Sequence, residues 1–335
     1  MLIRCLPYPN QYIAHLLSLS CGLVALQGAN LHTNICLYQP MNGHLRIKSP
    51  WVQLAVFLLV FLPQLLLLFF FSDSNVKIDL TKPGVIAQMK WLQAVSSLTL
   101  FFLPAFLFAV FTFRSKYFYF LGFKKADKEN MYILAVVCIV LAMPFVFWLG
   151  VLNQSFPIPA ELKRMEEETA KQLAAFLKVN GPMDVVINVI VIALLPAICE
   201  ELCFRGALQR ILINITRNPW AGIIITGILF SALHLQFMGF LPRMFLGIVL
   251  GALYWYSGSL WTSILAHFVN NAVQVIAVSY APKYIDKNPE FPVLLAIASG
   301  VIVWAILWYY QRQSTITYSK VYRTDELTPH NQFLA

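Results

Sequence analysis

Long apolar stretches recur along this chain, with short polar segments between them. Runs of about 20 apolar residues are typical of helices that span a bilayer. Eight such stretches occur, at Val52–Phe71, Trp91–Phe113, Met131–Leu152, Val185–Phe204, Ala221–Phe240, Met244–Leu260, Trp261–Ala281 and Val293–Tyr310. The sequence therefore predicts an all-α fold, a polytopic membrane helix bundle of about eight transmembrane helices. The sixth and seventh stretches are nearly continuous, and Gly258-Ser259 is the predicted turn between them.

Lys and Arg residues are moderately more frequent on one predicted side of the membrane, although the outer loops also contain some. With eight spans, the basic residues that precede the first helix and follow the second, fourth and eighth all face the same compartment. They are Arg46, Lys48, Arg114, Lys116, Lys124, Lys125, Lys128, Arg210, Arg217, Arg312, Lys320 and Arg323. Because short loops rich in Lys and Arg stay in the cytoplasm, we expect both termini to be cytoplasmic. The compact loops favour a bacterial inner (plasma) membrane protein.

The pattern divides the chain into four parts. Residues 1–50 form an N-terminal cytoplasmic segment, 51–182 the first three spans and an outer loop, 183–281 a four-helix core with the candidate chemistry, and 282–335 the last span and a cytoplasmic tail. Gln11–Gln27 is too short and polar for a span and lacks the features of a signal peptide. Met41 precedes a conventional approach to the first span, so translation from Met41 is an alternative to translation from Met1.

The outer loop Asn153–Asp184 has a helical apolar stripe. Its members are Leu162, Met165, Leu173, Phe176 and Leu177. This pattern fits either an amphipathic helix that lies on the membrane or an ordinary solvated helix within a loop.

Composition supports a membrane protein and excludes several other classes. Of the 335 residues, 59% are hydrophobic and 12% are charged, whereas soluble domains have about 45–50% apolar and about 25% charged residues. The net charge of +9 is scattered among the loops, so we expect the lipid bilayer and no nucleic acid as a partner. The six cysteines form no CxxC pair, which argues against a disulfide framework and a cysteine-type zinc site.

Six polar residues within the apolar stretches are the candidates for chemistry: Glu200, Glu201, Arg205, His234, His267 and Asn271. A charged side chain at bilayer depth costs roughly 2.5–3.5 kcal/mol, so such residues tend to mark function. Glu201 and Arg205 have the i, i+4 spacing that favours an ion pair. Adjacent helical residues point about 100° apart, so Glu200 points elsewhere and is available as a base. Pro196, four residues earlier, should kink this helix.

The two histidines lie on other predicted helices. His267 and Asn271 share one helix face, where they could present an N–H pair to a developing oxyanion. His234 follows Phe230 by four residues, so we expect that ring to pack against it. Counting at about 1.5 Å per residue places Glu200 and His267 about 10 Å from the inner helix ends and His234 nearer 20 Å. The predicted depths therefore do not agree.

The motifs Glu-Glu-x-x-x-Arg, Phe-x-x-x-His and His-x-x-x-Asn follow one another in this order. This arrangement resembles the CPBP intramembrane protease family, which includes the CAAX prenyl endopeptidases of the Ras-converting type and the bacterial Abi-type proteins. The resemblance covers roughly Val185–Tyr280. It implies endopeptidase activity on a peptide or protein substrate, in CAAX-type or bacteriocin-related processing.

The resemblance also implies a role for each candidate residue. Glu200 and His234 would activate a water molecule, His267 and Asn271 would hold the oxyanion, and Glu201 with Arg205 would keep the helix in register. The same residues allow a metalloprotease, in which His234, His267 and a Glu bind one zinc. The cofactor is therefore either none or zinc. Asn271 is a poor zinc ligand and a good oxyanion donor, which favours the glutamate-dependent version.

Two other classes of function compete with a protease. A non-catalytic membrane binding or immunity protein of the same family would use the polar cluster to recognise a partner. A transporter would use Glu200 and the histidines as a proton relay, but its halves should be repeats. Here the polar residues all lie in the second half, which counts against a transporter.

Overall fold

The computed structural model describes residues 44–71, 84–281, 289 and 291–322. Residues 1–43, and with them the alternative start at Met41, lie outside the described residues. So does Arg323, one of the basic residues used to predict orientation.

The described residues lie mostly in helices. These helices are α1 (Pro50–Phe71), α2 (Val85–Thr112), α3 (Tyr117–Leu121), α4 (Asn130–Gln154), α5 (Ala160–Leu177), α6 (Pro182–Thr216), α7 (Pro219–Ala232), α8 (Phe240–Ser257), α9 (Leu260–Tyr280), α10 (Val293–Gln313) and α11 (Tyr318–Tyr322). Seven of these are long and apolar enough to cross a membrane, and α7 is a shorter apolar helix. The prediction of a polytopic membrane helix bundle is confirmed, and the protein is an integral membrane protein.

Two of the predicted spans have wrong boundaries. The span predicted to end at Phe204 continues as α6 to Thr216, because the polar residues Arg205 and Gln209 are buried inside the protein rather than exposed. The span predicted as Ala221–Phe240 ends as α7 at Ala232. At its start, Asn218 accepts hydrogen bonds from the backbone of Trp220 and Ala221 and caps the helix.

Wider π-helical turns interrupt α2 and α6 just before their prolines. Leu98–Phe102 precedes Pro104, and Val189–Leu194 precedes Pro196. Proline cannot donate a backbone hydrogen bond, and its ring crowds the carbonyl four residues back. A π turn absorbs this local defect without breaking the helix. Instead of the kink that Pro196 predicts, the helix contains a π-helical turn at Val189–Leu194.

Polar side chains of α6 attach it to α8 at two successive turns. Arg205 Nη2 donates to the Gly247 carbonyl at 3.0 Å, and Gln209 Nε2 donates to the Gly251 carbonyl at 3.0 Å. A Cβ on Gly251 would lie 2.5 Å from Gln209 Oε1. Glycine at this position therefore lets the two helices approach closely enough for these bonds.

The two loop predictions can be compared directly with the structure. Gly258 has φ +65° and leads through Ser259 into α9, so the predicted turn is confirmed. The loop after α4 contains the helix α5, whose buried residues, Phe176 and Leu177, lie at its C-terminal end. This end of α5 faces α6 near its beginning, where Asn188 Nδ2 donates to the Leu177 carbonyl at 3.4 Å.

Gly222 of α7 lies directly against Ile213 of α6, and this contact leads to a stability prediction. A Cβ at Gly222 would lie 2.4 Å from Ile213 Cγ1 and 2.7 Å from its backbone nitrogen. We expect Gly222→Ala to destabilise the protein by about 1–3 kcal/mol, as overpacking does, measured as a lower unfolding temperature in detergent. Gly181→Ala is the control, because no atom lies within 4 Å of a Cβ there. Equal unfolding temperatures for the two variants would show that α7 yields at this contact.

Candidate functional site

Both glutamates lie in one short α-helical stretch of α6, Leu195–Glu201, between two π-helical stretches. Arg205 Nη1 donates to Glu201 Oε1 at 2.6 Å, and both side chains are 0% exposed. The ion pair that the i, i+4 spacing predicts therefore forms, and it is sealed from solvent.

His267 of α9 reaches both glutamates. Its Nδ1 lies 2.8 Å from Glu201 Oε1, and its Nε2 lies 3.8 Å from Glu200 Oε2. The same oxygen of Glu201 thus binds Arg205 and His267. The contact of His267 with Glu201 is a hydrogen bond, whereas its contact with Glu200 is too long for one.

The two adjacent glutamates have different environments. The Glu201 side chain is fully buried and takes part in an ion pair, while the Glu200 side chain is 12% exposed. Within the described residues, no side chain or backbone group donates a hydrogen bond to the Glu200 carboxylate. Glu200 is therefore the more accessible of the two carboxylates.

His234 lies in a turn beyond α7, and its predicted helical position is wrong. The chain leaves α7 through short-range bonds from His234 N to the Ser231 carbonyl and from Leu235 N to the Ala232 carbonyl. His234 Nδ1 lies 2.8 Å from the Phe230 carbonyl oxygen. This contact leaves the Nε2 atom available for a substrate or a water molecule.

The Phe230 ring joins the site together. Its centroid lies 5.0 Å from that of His234 and 5.8 Å from that of His267, and the Arg205 guanidinium stacks over it at 4.7 Å. The predicted packing of Phe230 against His234 is confirmed. Through Phe230, the turn after α7 meets α6 and α9.

Distances counted from the helix ends do not reproduce the positions of the candidate residues in the structure. Because α6 continues to Thr216, Glu200 lies about 24 Å along the helix from that end. His234 lies a similar distance, about 22 Å by the same spacing, from the start of α7 at Pro219. His267, by the same spacing, lies only about 10 Å from the start of α9 at Leu260, yet it contacts both glutamates. The helices therefore begin at different levels, and such counts do not measure depth.

Asn271 stands on α9 one turn after His267, with a neighbour that the sequence reasoning missed. Asn270 Nδ2 donates to Asn271 Oδ1 at 3.0 Å, and Asn270 is buried. This bond occupies the carbonyl end of the Asn271 amide and leaves its N–H group as the free end. No spacing rule distinguishes Asn270, because its role depends on a contact with its neighbour.

The described side chains do not form a zinc site as they are arranged. No three His, Cys, Asp or Glu residues among the described residues are close enough to hold one metal ion. Zinc would need His234 Nε2, His267 Nε2 and a Glu200 oxygen to converge at about 2.0–2.2 Å from one point. The other nitrogen of each histidine contacts protein, at the Phe230 carbonyl and at Glu201. Such contacts also orient histidines that bind a metal through Nε2, so the choice between no cofactor and zinc stays a prediction.

Comparison with known proteins finds a family that is similar to part of this chain. Residues 182–273 match the family described as type II CAAX prenyl endopeptidase Rce1-like. The uncharacterized protein YpbD of Bacillus subtilis (strain 168) is 28% identical over 107 residues, which cover 31% of this chain and 52% of YpbD. The chain thus spans about half the length of this relative. No solved structure matches the chain. The resemblance to the CAAX proteases is confirmed for the segment that carries Glu200, His234 and His267: residues 182–273 are similar to the Rce1-like family.

Proposed function

We propose that this protein is an intramembrane endopeptidase that uses Glu200 and His234 to activate water. The observation that carries the proposal is the uncommitted Glu200 carboxylate beside a buried network of Glu201, Arg205 and His267. The Rce1-like match over the same residues supports a CAAX-type peptide or protein as the substrate. The bacteriocin-related substrates of similar proteins are the other class within this proposal.

The buried charges near His267 favour Nε2–H as the group that donates to the oxyanion. Its Nδ1 donates to Glu201, so its Nε2 carries a proton only when the ring is doubly protonated. In that state Arg205 and His267 balance the two carboxylates, and buried charges are tolerated best when they are compensated. The Nε2–H group could then donate to an oxyanion, as in other acyl-transfer sites.

The proposed reaction follows from these positions. Glu200, assisted by His234 Nε2, takes a proton from water, and the hydroxide attacks the carbonyl carbon of the scissile peptide bond. Asn271 and His267 donate hydrogen bonds to the resulting oxyanion. Glu200 then returns the proton to the leaving nitrogen and the C–N bond breaks, which gives a carboxylic acid and an amine. The proton of the acid passes to the amine, so the products are a carboxylate and an ammonium group. Glu201 and Arg205 take no proton and hold His267 in place.

We propose that the reaction takes place within the membrane. The bilayer surrounds the protein, the substrate is a peptide or protein, and nucleic acid has no part in it. We infer a bacterial plasma membrane with both termini in the cytoplasm from the distribution of Lys and Arg. If a catalytically dead Glu200 variant retains the biological effect of the protein, a binding or immunity role replaces the enzyme.

Glu200 and Glu201 should fail in different ways. Glu200→Gln should fold with an unchanged unfolding temperature and lose nearly all turnover of a peptide substrate, because it removes the base. Glu201→Gln should also destabilise the protein by about 3–5 kcal/mol, because it leaves Arg205 buried without an anion. Turnover and thermal unfolding of both purified variants test this. Equal losses of stability would contradict the division of roles.

Asn271 should contribute in a graded way. Removal of one oxyanion donor typically costs about 10²–10³ in turnover, so Asn271→Ala should retain measurable activity with little change in KM. Steady-state kinetics with one peptide substrate measure both constants. A variant with the turnover of the unaltered protein, or with only a raised KM, would remove Asn271 from the oxyanion site.

A chelator separates the two versions of the mechanism. If Glu200 and His234 activate water without a metal, prolonged treatment with a strong chelator should leave turnover intact. Elemental analysis of the active protein should then find well under one zinc per chain. Loss of activity that added zinc restores would instead show that His234 and His267 are metal ligands.

A further inference from the structure

The turn that carries His234 is bound by a carboxylate from a distant helix. Glu166 of α5 accepts hydrogen bonds from the backbone N–H groups of Phe237 at 2.6 Å and Met238 at 3.0 Å. These groups follow His234 closely and begin the turn that leads into α8. A carboxylate is favourable there, because the first N–H groups of a helix lack partners within it.

Asn153, at the end of α4, holds the same segment from another side. Its Nδ2 donates to the Phe237 carbonyl at 2.8 Å, and its Oδ1 accepts from Leu241 N at 2.6 Å. The Asn153 side chain is buried. Both ends of this amide are therefore used to fix the chain beyond His234.

Two further bonds close the turn on itself. Ser231 Oγ donates to the Phe240 carbonyl at 2.7 Å. Arg243 Nη1 donates to Gln236 Oε1 at 3.0 Å. The segment between α7 and α8 is therefore held by polar contacts on several sides.

The backbone next to His234 shows that these contacts impose a conformation. Leu235 has φ +54°, a left-handed conformation that leucine rarely adopts. Its side chain is 59% exposed, so burial of the leucine does not hold the backbone in this state. Such a conformation persists when the surrounding structure over-determines it, and the bonds of Glu166, Asn153 and Arg243 do so here.

We propose that Glu166 is a positioning residue for the reaction, because it holds the His234 turn and so directs the imidazole into the site. This inference rests on the proposed function. His234 contacts Phe230 through its Nδ1 atom and its ring. The position of its Nε2 atom therefore depends on how firmly the turn is held. On this proposal, the Glu166 carboxylate links α5 to the turn that carries His234.

The other acids of α5 provide a matched comparison. Glu161 pairs with Arg164 of its own helix at 2.6 Å. Glu167 is exposed and adjacent to Glu166. Removal of Glu167 therefore changes the charge of α5 equally without touching the turn.

The kinetic experiment compares Glu166→Ala, Glu166→Gln and Glu167→Ala with the unaltered protein. We expect Glu166→Ala to lower kcat by about tenfold to a hundredfold, as small displacements of catalytic groups do, with KM within about twofold. Glu166→Gln keeps one acceptor oxygen and should fall between, while Glu167→Ala should match the unaltered protein. In a His234→Ala background, Glu166→Ala should cause no further loss. An equal loss in that background, or from Glu167→Ala, would overturn the proposal.

A second measurement does not depend on activity. Hydrogen–deuterium exchange of the peptide that covers His234–Leu241 should become faster in Glu166→Ala and Glu166→Gln, and stay unchanged in Glu167→Ala. Unchanged exchange in both Glu166 variants would overturn the positioning role. If the unaltered protein cleaves no peptide but exchange responds as expected, the proposed function fails while the hold of Glu166 on the turn stands.

Discussion

One buried carboxylate oxygen holds the candidate site together. Glu201 Oε1 accepts from Arg205 and contacts His267, so it joins α6 to α9. The same Arg205 donates to the Gly247 carbonyl of α8 and lies against the Phe230 ring of α7. Glu201 and Arg205 both belong to α6, and α7, α8 and α9 each add one contact to this buried pair, so loss of any of these helices would leave a buried polar group with fewer partners. The four helices therefore meet at the Glu201–Arg205 pair.

The network explains how two adjacent glutamates can have different properties. Glu201 is sealed and fully engaged, whereas Glu200, about 100° around the helix, is partly exposed and lacks a hydrogen-bond donor within the described chain. π-helical stretches lie on both sides of the α-helical stretch that carries them. Burial thus assigns one carboxylate to structure and leaves the other available for proton transfer.

The His234 side of the site depends on residues outside the Rce1-like segment. Asn153 and Glu166 precede residues 182–273 in the chain, yet they bind the backbone that follows His234. The matching segment therefore contains the candidate groups, while the rest of the chain supplies part of their support. A difference in these outer elements between related proteins would alter the site without altering its motifs.

The sequence by itself determined the features that depend on one helix or one turn. The apolar runs indicated the membrane bundle, the i, i+4 spacing indicated the Glu201–Arg205 pair, and Gly258 indicated the turn before α9. Helix geometry makes such local relations predictable. Only the tertiary structure decided that His267 binds Glu201, that Arg205 and Gln209 are buried in an extended α6, and that α7 ends at Ala232. Hydropathy could not find that end, because Leu233, Leu235, Phe237 and Met238 continue the apolar pattern while contacts with distant Asn153 and Glu166 turn the backbone.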